Sequence, residues 1–135
     1  MVNTNLNRLK ILIGVSLFAL SVSGAHAQVQ PYTVKNGNQV DADTFKGYTL
    51  YRNWCARCHG TFGQGLAGPN LAESLNKITY ETFLEVVAKG KMGQIGMMPA
   101  WSGNPQVMKG REDIYRYLKA RADGAIGPVK PEKAQ

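Results

Sequence analysis

Histidine is scarce in this chain, with only His26 and His59 among 135 residues. Cysteine is equally scarce: Cys55 and Cys58 are the whole complement. Two cysteines exclude a multi-bridge secreted scaffold. Once His26 leaves with the N-terminal leader, Cys55, Cys58 and His59 leave a structural zinc site one short of its four nitrogen or sulfur ligands. Acidic residues are few, nine against sixteen Lys and Arg. Long apolar runs are missing as well. The stretch Ile11 to Leu20 covers about half of the ~20 residues that a membrane span requires.

That short apolar stretch has a telling context. Arg8 and Lys10 precede it and Ala25-His26-Ala27 follows, the basic, apolar and small-x-small order of a secretory signal peptide. Residues 1–27 are therefore expected to be cleaved, leaving 108 residues, the size of one domain. Cleavage removes His26, so His59 becomes the only imidazole. Fourteen basic residues then face nine acidic ones, a formal charge of +5. A mildly basic surface suits acidic protein partners, and no Arg-rich or aromatic-interleaved patch points to nucleic acid. No cysteine stands at the new N-terminus to carry a lipid. The expectation is a monomer in the periplasm, without stable membrane insertion.

The spacing of apolar residues predicts helices and no strand of any length. Residues 28–40 form an irregular N-terminal arm. A first helix starts at Asp41 or Asp43, each able to cap free amides, and Phe45, Tyr48, Tyr51 and Trp54 recur at helical spacing. Four glycines between Gly60 and Gly68 demand a loop, followed by a short turn near Leu71 to Leu75. Tyr80, Phe83, Leu84 and Val87 define a second helix over 79–89, capped by Thr79 and stopped by Gly90. Residues 91–110 read as irregular and 111–122 as the last helix, within a domain spanning 41–123. Residues 124–135, with Gly127, Pro128 and Pro131, form an extended, poorly ordered tail.

Chemistry concentrates in Cys55-Ala56-Arg57-Cys58-His59. Two thiols at this spacing close almost no loop as a disulfide, so such a bridge would restrain little. They can instead add to the two vinyl groups of haem, with the next histidine placed to ligate iron. A thioredoxin-like pair would need a βαβ setting, and no strands are visible. A bare disulfide would leave His59 without a role.

A second axial ligand cannot be histidine, because none remains. Methionine suits haem iron, and Met92, Met97, Met98 and Met108 are available. Met98 precedes Pro99, which biases it to an extended conformation. Met97 would then point the opposite way. Met98 is favoured over Met97, while Met92 and Met108 are expected to fill gaps in an apolar pocket.

The order of helix, Cys-x-x-Cys-His, glycine-rich loop, helix, Met-Pro loop and terminal helix resembles class I cytochrome c over about residues 45–122. The resemblance implies an all-α fold of three to five helices around one covalently bound haem c, with crossed first and last helices. Gly47 and Tyr117 match the crossing positions. It implies that Pro69 lends its carbonyl to the second ring nitrogen of His59, that Leu71 packs on the haem, and that Met98 in Met98-Pro99-Ala100-Trp101 is the sulfur ligand.

Tyr115-Arg116-Tyr117-Leu118-Lys119-Ala120-Arg121-Ala122-Asp123-Gly124, with Ile126-Gly127-Pro128, further resembles periplasmic cytochromes that accept electrons from PQQ-dependent alcohol and methanol dehydrogenases. The implied function is a one-electron Fe(III)/Fe(II) carrier feeding the respiratory chain through an oxidase or a larger cytochrome. Arg57, Lys89 and Lys91 are candidate docking charges. Two rival readings remain: a haem enzyme or gas sensor with an open sixth site, and a fixed subunit of a dehydrogenase complex. The Met97-Met98-Pro99 segment argues against an open site.

Overall fold

Asp41 starts the main fold. Its carboxylate accepts the Thr44 N–H at 2.9 Å and the Thr44 hydroxyl at 2.7 Å, which caps α1 (Ala42–Trp54). In the computed structural model, which describes residues 30–94 and 96–135, this helix is the first of five. The expected leader, residues 1–27, lies outside the described residues. After Cys55 the chain makes a single turn, α2 (Ala56–His59), then the glycine-rich loop and a second single turn, α3 (Leu71–Ser74). Helix α4 (Tyr80–Lys89) is capped by the Thr79 hydroxyl and closed by Gly90.

The last helix, α5 (Pro105–Ala122), begins six residues before the expected Arg111. Pro105 lies inside the stretch 91–110 expected to be irregular, yet it occupies the first helical turn, where its missing N–H costs nothing. Asn104 supplies the cap, accepting from the Gln106 and Val107 amides at 3.0 and 3.1 Å.

Short ladders also correct the expectation of no strands. Residues in the arm form β1 (Val34–Lys35) and β2 (Gln39–Val40), an antiparallel pair. Lys91–Met92 (β3) pairs antiparallel with Met97–Met98 (β4). The tail contributes β5 (Glu132–Lys133), parallel to β2. Far from being loose, the tail buries Ile126 and Pro131 completely and bonds Glu132 N–H to Asn38 O and Ala134 N–H to Val40 O, both at 2.8 Å. Two-residue strands leave no alternating pattern long enough to read from sequence.

Helices α1 and α5 cross at van der Waals limits. A Cβ on Gly47 would meet Asp113 O, and a Cβ on Gly110 would meet Leu50 Cδ1. Glycine at both points lets the backbones approach. One turn along, Tyr117 packs edge-on against Tyr48 (5.2 Å between ring centroids) and at a tilt against Tyr51 (5.4 Å). Burying side chains of this size contributes about 1.5–3 kcal/mol each. The crossing thus sits at the centre of a core that includes Val107, Ile114 and Leu118.

Candidate functional site

The end of α1 and the turn α2 deliver the Cys-x-x-Cys-His segment to one wall of an apolar slot. Cys55, His59, Leu71 and Met98 all line it, with Phe83 and Val87 from α4, Trp101 from the loop, and Ile114 and Leu118 from α5. The slot holds about 510 Å³ of space, part of it open to solvent. Cys58 is exposed and not part of this lining, three residues along from Cys55. Cys55 and Cys58 are not bridged to each other. Burial, and then the neighbouring Cys58 sulfur, push the Cys55 thiol up to about 12, so at neutral pH it is an uncharged part of the wall.

His59 is buried and its ring is fixed by Pro69, whose carbonyl oxygen lies 2.9 Å from Nδ1. A carbonyl only accepts, so Nδ1 carries the proton and Nε2 keeps its lone pair for a metal. Gly68 makes the approach possible: a Cβ there would stand 2.7 Å from His59 Cε1. The Gly68 N–H to Cys58 O bond (2.7 Å) and the Gly65 N–H to His59 O bond (2.8 Å) tie the glycine loop to α2.

The doubled methionines separate cleanly. Met98 is half-buried and faces the slot, whereas its neighbour Met97 is 67% exposed. Strand alternation in β4 accounts for the difference. Met92, expected to fill an apolar gap, is instead 73% exposed, because it is the cross-strand partner of Met97 on the outer face.

Sequence reading did not single out Trp101 as a wall residue. Trp54 from the aromatic stripe stacks edge-on against it at 5.7 Å. Helical spacing marks Phe83 and Val87 as one face of a helix, but it does not show the slot they share with Ile114 and Leu118. A second depression, lined by Tyr80, Glu112, Tyr115, Arg116 and Lys119 among others, shares no residue with this slot and brings none of its sulfur or imidazole donors.

The slot can be set beside known proteins. Residues 42–118 match the family described as cytochrome c oxidase, cbb3-type, subunit III. The chain is 39% identical to cytochrome c-555 of Methylococcus capsulatus, over 71% of this chain and 76% of that protein. The chain belongs to the cytochrome c family. It is also 34% identical to cytochrome c-553I of Paracoccus denitrificans over 79% of its length, while spanning only half of that relative. Among solved structures it is similar to the c-type cytochrome XoxG of Methylobacterium extorquens AM1, at 39% identity and a TM-score of 0.72, covering 77% of this chain and 67% of that one. Cytochrome cL of Methylophaga aminisulfidivorans shares the fold, at 18% identity and a TM-score of 0.52, over 70% of this chain and 71% of that one.

As a mono-haem c-type cytochrome, the protein carries electrons and is not an enzyme, so the open-site enzyme reading is set aside. Its cofactor is covalently bound haem c, and the residues present fit it. An imidazole with a free Nε2, a thioether and a thiol all line one otherwise apolar slot. Haem supplies the reversible one-electron chemistry; the polypeptide supplies ligands and a dry pocket. Among the described residues, no helix is long and apolar enough to cross a membrane.

Proposed function

We propose that Cys55 and Cys58 hold the haem through thioethers, that His59 and Met98 are its axial ligands with Pro69 orienting the imidazole and Leu71 packing on the ring, and that the mature protein is a periplasmic carrier taking electrons from a PQQ-dependent alcohol or methanol dehydrogenase. The observation that carries the ligand reading is the presence of His59, held through Nδ1, and Met98 in one slot. An unchanged six-coordinate ligand set keeps reorganisation small on electron transfer. The leader-like residues 1–27 support export. The segments 115–124 and 126–128, through their resemblance to such acceptors, support the dehydrogenase donor. Electrons then pass to an oxidase or a larger cytochrome.

Docking of such carriers is transient. Arg57 and Lys91 are exposed and have no carboxylate within salt-bridge distance among the described residues, whereas Lys89 is held by Glu85 at 2.7 Å. Arg57 and Lys91 therefore carry the steering charge, and Lys91 adjoins the exposed apolar surface of Met92 and Met97 in the β3–β4 pair.

Rapid mixing of the oxidised protein with a substrate-reduced PQQ dehydrogenase tests this reading. The expected result is reduction by one electron per haem, at a rate that falls with ionic strength and in the Arg57→Gln, Lys91→Gln double variant. Reduction by ascorbate but not by the dehydrogenase would remove the donor assignment. The match to an oxidase-subunit family favours, as a second reading, a fixed subunit of an oxidase rather than of the dehydrogenase complex expected from sequence; co-migration with a large complex on native gel filtration would support it.

A further inference from the structure

Helix α4 ends beside the segment that carries Met98, and backbone joins the two. The Gly90 N–H closes on Val86 O at 2.8 Å and ends the helix. The next two carbonyls, Val87 O and Ala88 O, are among those a helix terminus leaves without internal donors. They accept the Trp101 N–H at 3.0 Å and the Ser102 N–H at 3.2 Å. The residues just past Met98 are thus bonded to the last turn of α4.

Gly90 fills the angle between them. Its backbone lies at φ 75° and ψ 179°, a region open essentially to glycine alone. A Cβ there would stand 2.6 Å from Met98 O, 2.8 Å from Ala100 N and 3.0 Å from Pro99 C. All three are backbone atoms, so none can swing aside as a side chain would. The whole Met98-Pro99-Ala100 segment would have to move. The His59 side of the slot is anchored separately, through Pro69, Gly68 and Gly65.

We propose that Gly90 is a positioning residue for the sixth iron ligand: its bare Cα lets Met98-Pro99-Ala100 lie against the end of α4, and this seat sets how far the Met98 thioether reaches into the slot. The proposal rests on the reading of Met98 as the sulfur ligand. Filling the seat displaces the thioether and opens the sixth position to external ligands, while His59 and both thioether links stay in place.

Four holoprotein forms test it: wild type, Gly90→Ala, Met98→Ala and Gly124→Ala. Gly124 also has a positive φ (71°), but a Cβ there meets nothing within 4 Å, so it reports backbone strain without pressure on the loop. The readouts are the sulfur-to-iron charge-transfer band of the oxidised protein and carbon monoxide binding by the reduced protein. Gly90→Ala is expected to lose the band and bind carbon monoxide, as Met98→Ala does, while Gly124→Ala behaves as wild type. A Gly90→Ala protein that keeps the band and excludes carbon monoxide, beside a Met98→Ala protein that loses the band, overturns the seat and leaves the ligand reading standing. A band that survives Met98→Ala overturns both.

If Gly90→Ala does not accumulate as folded holoprotein, Ser102→Pro replaces it. Ser102 is the second residue of a turn closed by Asn104 N–H on Trp101 O at 2.8 Å, a position that accommodates proline. The change deletes the bond to Ala88 O. A weakened band with new carbon monoxide access supports the seat, and wild-type behaviour overturns it.

Discussion

A Cβ placed on Gly47 would run into the carbonyl oxygen of Asp113 and stand 2.9 Å from Ile114 N, so α1 and α5 meet backbone to backbone. Nothing at that contact can rotate away. Inserting even a methyl group into a packed core costs about 1–3 kcal/mol, and Gly47→Ala should reach at least ~3 kcal/mol because the helices themselves must part. Guanidinium unfolding of the holoprotein measures this. Gly103→Ala, where a Cβ meets nothing within 4 Å, should stay within about 0.5 kcal/mol of wild type. Equal midpoints for the two variants would show that the helices do not cross at Gly47.

Asp41 makes stability depend on pH. Burial raises the carboxyl's proton affinity, but hydrogen bonds from the Thr44 and Thr33 amides, the Thr44 hydroxyl and the Asp43 amide outweigh it and hold the group below the usual carboxylate range. A depressed folded value means that the ionised cap stabilises fully above the unfolded value of about 4. That contribution is lost as pH falls through the lower, folded value. Asp41→Ala should cost about 1 kcal/mol at neutral pH, and the gap to wild type should shrink below about pH 4. Denaturant titrations across this range check the sign; a gap that widens in acid would contradict it.

Two tyrosines in one cluster should respond oppositely to loss of the hydroxyl. Tyr51 donates to Gly60 O in a buried bond of 2.5 Å, whereas the Tyr117 hydroxyl is buried with no protein partner. Tyr51→Phe removes the shorter of two bonds to Gly60 O, which keeps the Gly63 N–H at 3.3 Å, at a cost of about 0.5–1.5 kcal/mol. Tyr117→Phe removes an unpaired polar atom and should be neutral or slightly stabilising. Thermal unfolding of the pair decides, and the reverse order would refute the assignment of partners.

How much of this was legible in the chain depends on the range of each signal. The cap at Asp41, the stop at Gly90 and the Cys55-to-His59 segment are local, and residue type alone exposes them. The separation of Met98 from Met97 was legible because proline restricts its neighbour and strand side chains alternate. Pro105 misled because the same residue ends one element and starts the next; the discriminating partner, Asn104, is a weak signal beside it. The docked tail escaped notice since Ile126 and Pro131 have no periodic context, and β5 finds its partner strand β2 about 90 residues away in sequence. Gly47 was legible only through family resemblance, and Gly68 and Gly90 read simply as turn formers. Their close contacts with His59 and the Met98 segment arise when distant segments meet.

The haem reading requires that the exported chain carry one haem bonded through both Cys55 and Cys58. Intact mass and peptide mapping of the purified periplasmic protein test it most directly. The account predicts a chain beginning after Ala27, heavier by one haem, with Cys55 and Cys58 both in a single haem-bearing peptide. A colourless protein of unmodified mass, with two titratable thiols or a Cys55–Cys58 disulfide, would contradict it.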